Sequence, residues 1–184
     1  MLNPAQSVLY SGGAAGTEEF FGNLAETCGI EEVNYTFEGH QINRLRGVRM
    51  LTNRELMLKD VSMTYVSKLM RREYTRAPLF RKVLQSICWQ VSSGEQIFVV
   101  GAIQQDGTVK GGTGWGAEFA KICNKPLYVF DQPRSSWFVW KRDAWAAVEK
   151  PLVTAAHFTA TGTRFLDDGG RLAVQGLFER SFDR

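Results

Sequence analysis

Two glycine clusters carry most of the chemistry legible in this chain. Ser11-Gly12-Gly13-Ala14-Ala15-Gly16-Thr17-Glu18 follows the short β-prone run Ser7–Tyr10. Gly107-Thr108-Val109-Lys110-Gly111-Gly112-Thr113-Gly114-Trp115-Gly116-Ala117-Glu118 follows the apolar run Ile97–Ile103. Each cluster stands between a strand and a helix, where glycine lets the backbone turn sharply and come close to an anion. The free N–H groups of the helix N-terminus then face the negative charge. Ser11 and Thr17 add hydroxyl donors. The alternative is a tight strand-to-helix turn with small residues packed beneath it. Either cluster alone admits both readings, and the second holds neither GxxxxGK[ST] nor a clean GxGxxG. Two such loops at two strand ends favour a shared crevice.

Other residues fall around the same expected edge. Asp131 and Gln132 end the strand-like run Pro126–Asp131, where they can read a ribose hydroxyl or a base edge, or simply form the turn before Pro133. Thr161, Thr163 and Arg164 follow the run Leu152–Phe158 and would complete an anion site. Arg81 lies among Arg71, Arg72, Arg76 and Lys82. Charges in such a run are commonly solvated, but one planar guanidinium aimed at a phosphate would suit the crevice. Of five tryptophans, four lie within Trp115–Trp145 and can stack on a base, although core or subunit packing is the commoner use. His157, inside an apolar run, reads as a satisfied core histidine.

The elements that must position these residues alternate. Thr17 caps a helix with Glu18 and Glu19 in its first turn and Phe20, Phe21, Leu24 and Cys28 at helical spacing, ended by Gly29. Val33–Phe37 reads as a strand and Gly39–Gly47 as polar and irregular. Thr52-Asn53-Arg54-Glu55 has capping-box form and opens a helix with Leu56, Val61 and Leu69 near one stripe. A helix after Pro78 carries Val83, Leu84, Ile87 and Val91. Ile97–Ile103 reads as a strand covered on both faces. A helix around Gly116–Cys123 follows the second loop. Trp137–Trp145 gives an edge strand and turn, Leu152–Phe158 a last strand, and Asp167–Phe182 a closing helix with Leu172, Leu177 and Phe178 inward. This alternation predicts an α/β fold: one Rossmann-like domain over residues 1–184, with a mainly parallel sheet and helices on both faces.

Composition narrows the partners. A net charge of +3 suits a small anionic ligand but lacks the basic stripe of a nucleic-acid reader. No apolar run reaches the ~20 residues that cross a bilayer, so no membrane partner is expected. Three cysteines without CxxC spacing argue against a disulfide framework or zinc site and for a reducing cytoplasm. Two histidines make a His-rich metal site improbable, and no metal is expected.

The residues Ser11–Thr17 resemble the SGGAxGxD element of the SLOG superfamily, which includes the Lonely Guy cytokinin-activating enzymes, DprA and the molybdenum-cofactor carrier proteins. Gly111, Gly112, Gly114 and Glu118 fall on the glycines and glutamate of the PGGxGTxxE motif of the Lonely Guy branch. Phe80–Gln85, Gly111–Trp115 with Phe119-Ala120, Lys125–Gln132 and Gly162-Thr163-Arg164 look closest to the carrier-protein-like bacterial and phage branch. The chain departs from these motifs with Glu18 in place of Asp, and with Lys110 and Trp115 in place of Pro and Thr. The residue reading and the resemblance together give a candidate site made of Ser11, Gly12, Gly13, Ala14, Gly16, Thr17, Glu18, Arg81, Gly111, Gly112, Thr113, Gly114, Trp115, Glu118, Asp131, Gln132, Gly162, Thr163 and Arg164. Glu118 and Arg81 would be its catalytic pair if it is an enzyme, although Glu118 is also a natural first-turn helix residue. The expected ligand is a nucleotide or nucleotide-derived molecule, such as a nucleotide-sugar or pterin-type cofactor, with no cofactor required. Hydrolysis of an N-glycosidic bond is the alternative, and DprA-like single-stranded DNA binding is disfavoured by charge. Family likeness and the surplus aromatics Trp137, Trp140 and Trp145 imply a homodimer or higher homo-oligomer.

Overall fold

Strand β4 (Gln96–Gly101) is buried at every position, as expected of an apolar strand covered on both faces. In the computed structural model, which describes residues 1–182, β4 lies inside an eight-stranded sheet. The other strands are β1 (Val8–Ser11), β2 (Glu31–Thr36), β3 (Val48–Met50), β5 (Leu127–Asp131), β6 (Ser136–Lys141), β7 (Ala144–Val148) and β8 (His157–Gly162). Their order is β3-β2-β1-β8-β4-β5-β6-β7. The first six strands in this order pair in parallel, and β6 and β7 close the far edge as an antiparallel hairpin. From β1 the chain builds outward one way, from β4 the other, and β8 fills the gap. The carboxyl ends of β1, β8 and β4 therefore meet where the winding reverses, the place an open α/β sheet offers a ligand.

Helices cover both faces, as expected from the sequence. On one face α1 (Thr17–Cys28) and α6 (Asp168–Ser181) bury Phe21, Ala25, Val174, Leu177 and Phe178 against Leu9, Phe98 and Phe158. On the other, α3 (Asp60–Met70), α4 (Pro78–Ser93) and α5 (Gly112–Ile122) bury Met63, Val66, Leu84, Ile87, Val91 and Ala117 against Ile97, Val99 and Val129. Short α2 (Asn53–Met57) opens with the anticipated capping box, Thr52 and Glu55 bonding reciprocally. Gly29 ends α1 in the left-handed region at φ 75°.

Several expectations need correction. The helix opening at Thr52 breaks after Met57, which turns the face: Leu56 is buried, but Val61 and Leu69 point outward and Met63, Val66 and Met70 inward. The last strand lies over His157–Gly162 rather than Leu152–Phe158. The Gln96 side chain holds the preceding segment by accepting from the N–H groups of Thr154 and Ala155. His157 is consequently exposed and meets the Tyr10 hydroxyl at 2.9 Å instead of lying in the core. Leu172 is also exposed, because the inward face of α6 runs through Gly170, Val174, Leu177, Phe178 and Ser181. Ile103 lies beyond the end of β4, in an isolated bridge to Val109.

Candidate functional site

The first glycine loop joins β1 to α1 and is held on every side. Gly13 (φ 68°) accepts at its carbonyl from the N–H groups of Asn43 and Arg44. Gly16 (φ 87°) lies so close to the Arg164 carbonyl that a Cβ would overlap it. The Thr17 N–H and hydroxyl both donate to the Thr163 carbonyl, at 3.1 and 2.8 Å. Ser11 donates to the Ala160 carbonyl at 2.9 Å. Glu18 folds back over the loop. Its Oε2 accepts from the Ala14 N–H at 3.0 Å, its Oε1 from the Thr161 hydroxyl at 2.8 Å, and the Gly12 N–H donates to the same carboxyl. Glu18 is buried, and burial raises its pKa above the ordinary carboxylate value although these three donors pull it down.

The second loop joins β4 to α5. Lys110 N–H donates to the Ala102 carbonyl and Gly114 N–H to that of Gly111. Gly114 has no room for a Cβ because the Val109 carbonyl occupies that space. Gly112 and Thr113, half-buried, begin α5, and a Cβ on Gly112 would meet the Phe80 ring at 3.3 Å and Leu84 at 3.8 Å. Trp115 is buried against Tyr74, with ring centroids 5.9 Å apart, so it belongs to the core. Glu118 pairs with Lys121 at 2.6 Å; that ammonium also sits over the Trp140 ring at 3.7 Å and donates to the Gly107 carbonyl.

The remaining expected residues frame the same sheet edge. Arg81, on the first turn of α4, donates to Asp60 at 2.8 Å and lies 4.0 Å over the Tyr74 ring. Burial works against the Asp60 carboxylate, but hydrogen bonds from Tyr74, Gln85 and Arg81 outweigh it and lower its pKa. Asp131 is buried, accepting from the Ile103 N–H and pairing with Arg134 at 3.3 Å. Gln132 bridges to the segment after β8, donating to the Phe165 carbonyl and accepting from the Asp167 N–H. Gly162 packs against the Val100 carbonyl, which accepts from the Thr163 N–H at 2.9 Å. Arg164 is exposed and offers its backbone to Gly16.

The structure thus brings Gly12, Ala14, Glu18 and Thr161 together, while Glu118 and Arg81 each have a charged partner of their own. Gln90 is a participant that sequence reasoning missed. It is 1% exposed on the inward face of α4, its Nε2 is 2.5 Å from where a Gly12 Cβ would lie, and its Oε1 has no hydrogen-bond partner. Its signal in the sequence was a polar residue between Ile87 and Val91 on an apolar helix face. A separate cavity of about 370 Å³ lies between α1 and α6, walled by Leu24, Phe178 and Phe182, near the opposite ends of these helices. Among the described residues, no group of three or more His, Cys, Asp or Glu is placed to hold a metal ion, and no helix is long and apolar enough to cross a membrane.

No family model matches the sequence, and no curated protein does. Among solved structures, the fold is similar to that of a "putative molybdenum carrier protein" from Syntrophus aciditrophicus SB, with a TM-score of 0.55 and 14% identity over 97% of this chain and 96% of that one. At that identity the likeness is one of fold.

Proposed function

We propose that this protein binds a nucleotide or a nucleotide-derived molecule, a nucleotide-sugar or pterin-type cofactor included, in a crevice between its two glycine loops. One observation carries the reading: both loops abut the same helix. Gly12 faces Gln90 of α4, and Gly112 faces Phe80 and Leu84 of α4, so that one helix walls both. Binding without turnover is favoured because the two residues that catalysis would need, Glu118 and Arg81, are engaged by Lys121 and Asp60. The assembly we propose is a homodimer. The tryptophans from which that was expected mostly face inward: Trp137 is buried, and Trp140 packs edge-on to Trp145 at 5.0 Å.

Mass spectrometry of co-purifying small molecules, then calorimetry with nucleoside monophosphates, nucleotide-sugars and pterins, tests the reading. Gly112→Val should abolish binding by blocking backbone approach while the fold persists, because the exposed Phe80 ring can move aside. Glu118→Gln should keep most of the affinity. A hydrolase would instead still bind but lose turnover by roughly 10²-fold or more. No binding to wild type, with Gly112→Val changing nothing measurable, would leave the loops as turns.

A further inference from the structure

Glu18 occupies the position an external anion would need in the first loop. A glycine loop at a helix N-terminus attracts anions because its N–H groups lack partners. Here three of those groups are already used: Gly12 and Ala14 donate to the Glu18 carboxyl, and Thr17 donates to the Thr163 carbonyl. The far side of the carboxyl is held by Thr161 at 2.8 Å. Loop and helix also pack closely at Gly12, where a Cβ would lie 2.5 Å from Gln90 Nε2 and 2.8 Å from Glu18 Oε2. Gln90 Oε1 is buried without a partner, a state that buried polar atoms seldom keep.

We propose that the Glu18 carboxyl is the resident occupant of the first glycine loop, so that a ligand meets this loop through an uncharged, donor-bearing group, such as a sugar diol or a ring amine, and keeps any phosphate outside it. The ligand class rests on the nucleotide-derived reading; the occupancy of the loop does not. An external phosphate would have to expel Glu18 from its three donors and leave it buried. A hydroxyl or amine would instead bring hydrogens to oxygens that can accept them. The buried rise in the Glu18 pKa agrees with a group that burial has removed from solvent.

The test is a titration of the full chain, followed by the amide resonances of Gly12 and Ala14. Inorganic phosphate should leave both unmoved in wild type. In Glu18→Ala the emptied loop should respond to phosphate and to formate, and formate should raise the melting temperature of the variant and not of wild type. A saturable phosphate response at Gly12 and Ala14 in wild type overturns the proposal, and so does a folded Glu18→Ala that ignores both anions. If Glu18→Ala does not fold, the wild-type titration decides alone. For any nucleotide that calorimetry shows to bind, the matching nucleoside should keep the shifts at Gly12 and Ala14. Shifts that vanish with the phosphate would sink the ligand assignment. Absence of nucleotide binding would sink the functional reading, and the anion titration would still stand as a separate result.

Discussion

Burial decides how Glu18 titrates. Removal from water raises its pKa above the ordinary value near 4.5, outweighing the opposing hydrogen bonds from Ala14, Thr161 and Gly12. A carboxyl whose folded pKa is raised binds its proton more tightly in the folded state. Its contribution to stability is complete below the ordinary carboxylate range and is lost as pH rises through the folded value. Glu18→Gln removes that titration and leaves the other groups in place. The stability of wild type relative to Glu18→Gln should therefore fall as pH rises from about 4 toward neutrality. Urea unfolding of both proteins across that range measures it, and a difference that stays flat or rises would show that the hydrogen bonds win. The sequence singled out Glu118 as the catalytic candidate and gave Glu18 only a lining role, but Glu118 lies in the second turn of α5 rather than its first, and Glu18 is the one that folds over a glycine loop. The distinction is tertiary: β8 brings Thr161 onto Glu18, whereas Lys121, one turn along α5, pairs with Glu118.

At the scale of elements, local signals sufficed where they were strong. The strand–glycine–helix units β1–α1 and β4–α5 were legible because periodicity and the positive-φ demands of glycine point the same way, but their starts were not: Gly16 rather than Thr17 caps α1, and α5 begins at Gly112 rather than near Gly116. β3 was not, since three exposed residues carry no alternation. β8 was misplaced because its inward positions include Thr159 and Thr161, whose hydroxyls are satisfied by the Gln90 carbonyl and by Glu18. Polar composition there conceals a buried strand. The glycines also differ among themselves in a way only the fold reveals. Gly16 and Gly111 both hold a positive φ, at 87° and 76°, but Gly16 presses on the Arg164 backbone while Gly111 has nothing within 4 Å. Gly111→Ala should cost the strain alone, about 1–3 kcal/mol. Gly16→Ala should cost more, because backbone at Arg164 must move as well. Chemical unfolding of the two variants checks the order, and an equal or reversed ranking would mean that the β8–α6 segment yields easily.

The strand order belongs to the whole molecule and was the least legible feature. Local pattern indicated a mainly parallel sheet but could not place β8 between β1 and β4, because that contact joins the first strand to the last. Association is set at the same scale, and here exposure redirects the expectation. Met57, Leu58, Val61, Tyr65 and Leu69 form an outward apolar stripe over α2 and α3, each more than half exposed. Val61, Tyr65 and Leu69 recur at four-residue spacing along one side of α3, beside a groove of about 330 Å³ lined by Asp60, Val61, Thr64, Tyr65 and Lys68. The stripe has an acid, Asp60, at its start and the bases Lys68 and Arg71 at its end. Two copies of α3 packed antiparallel about a twofold axis at Tyr65 would set Val61 against Leu69 of the second copy. The stripe is therefore complementary to itself, as a twofold contact requires. Light scattering at micromolar concentration should therefore give a dimer. Val61→Lys should raise its dissociation constant by at least about tenfold, since it sets an ammonium beside Lys68 and Arg71 of the second copy, and like charges brought together at an interface cost about 2 kcal/mol or more. The far-ultraviolet spectrum should not change, because Val61 is 80% exposed in the single chain. A monomeric wild type would remove the dimer, and a dimer indifferent to Val61→Lys would place the contact on another face.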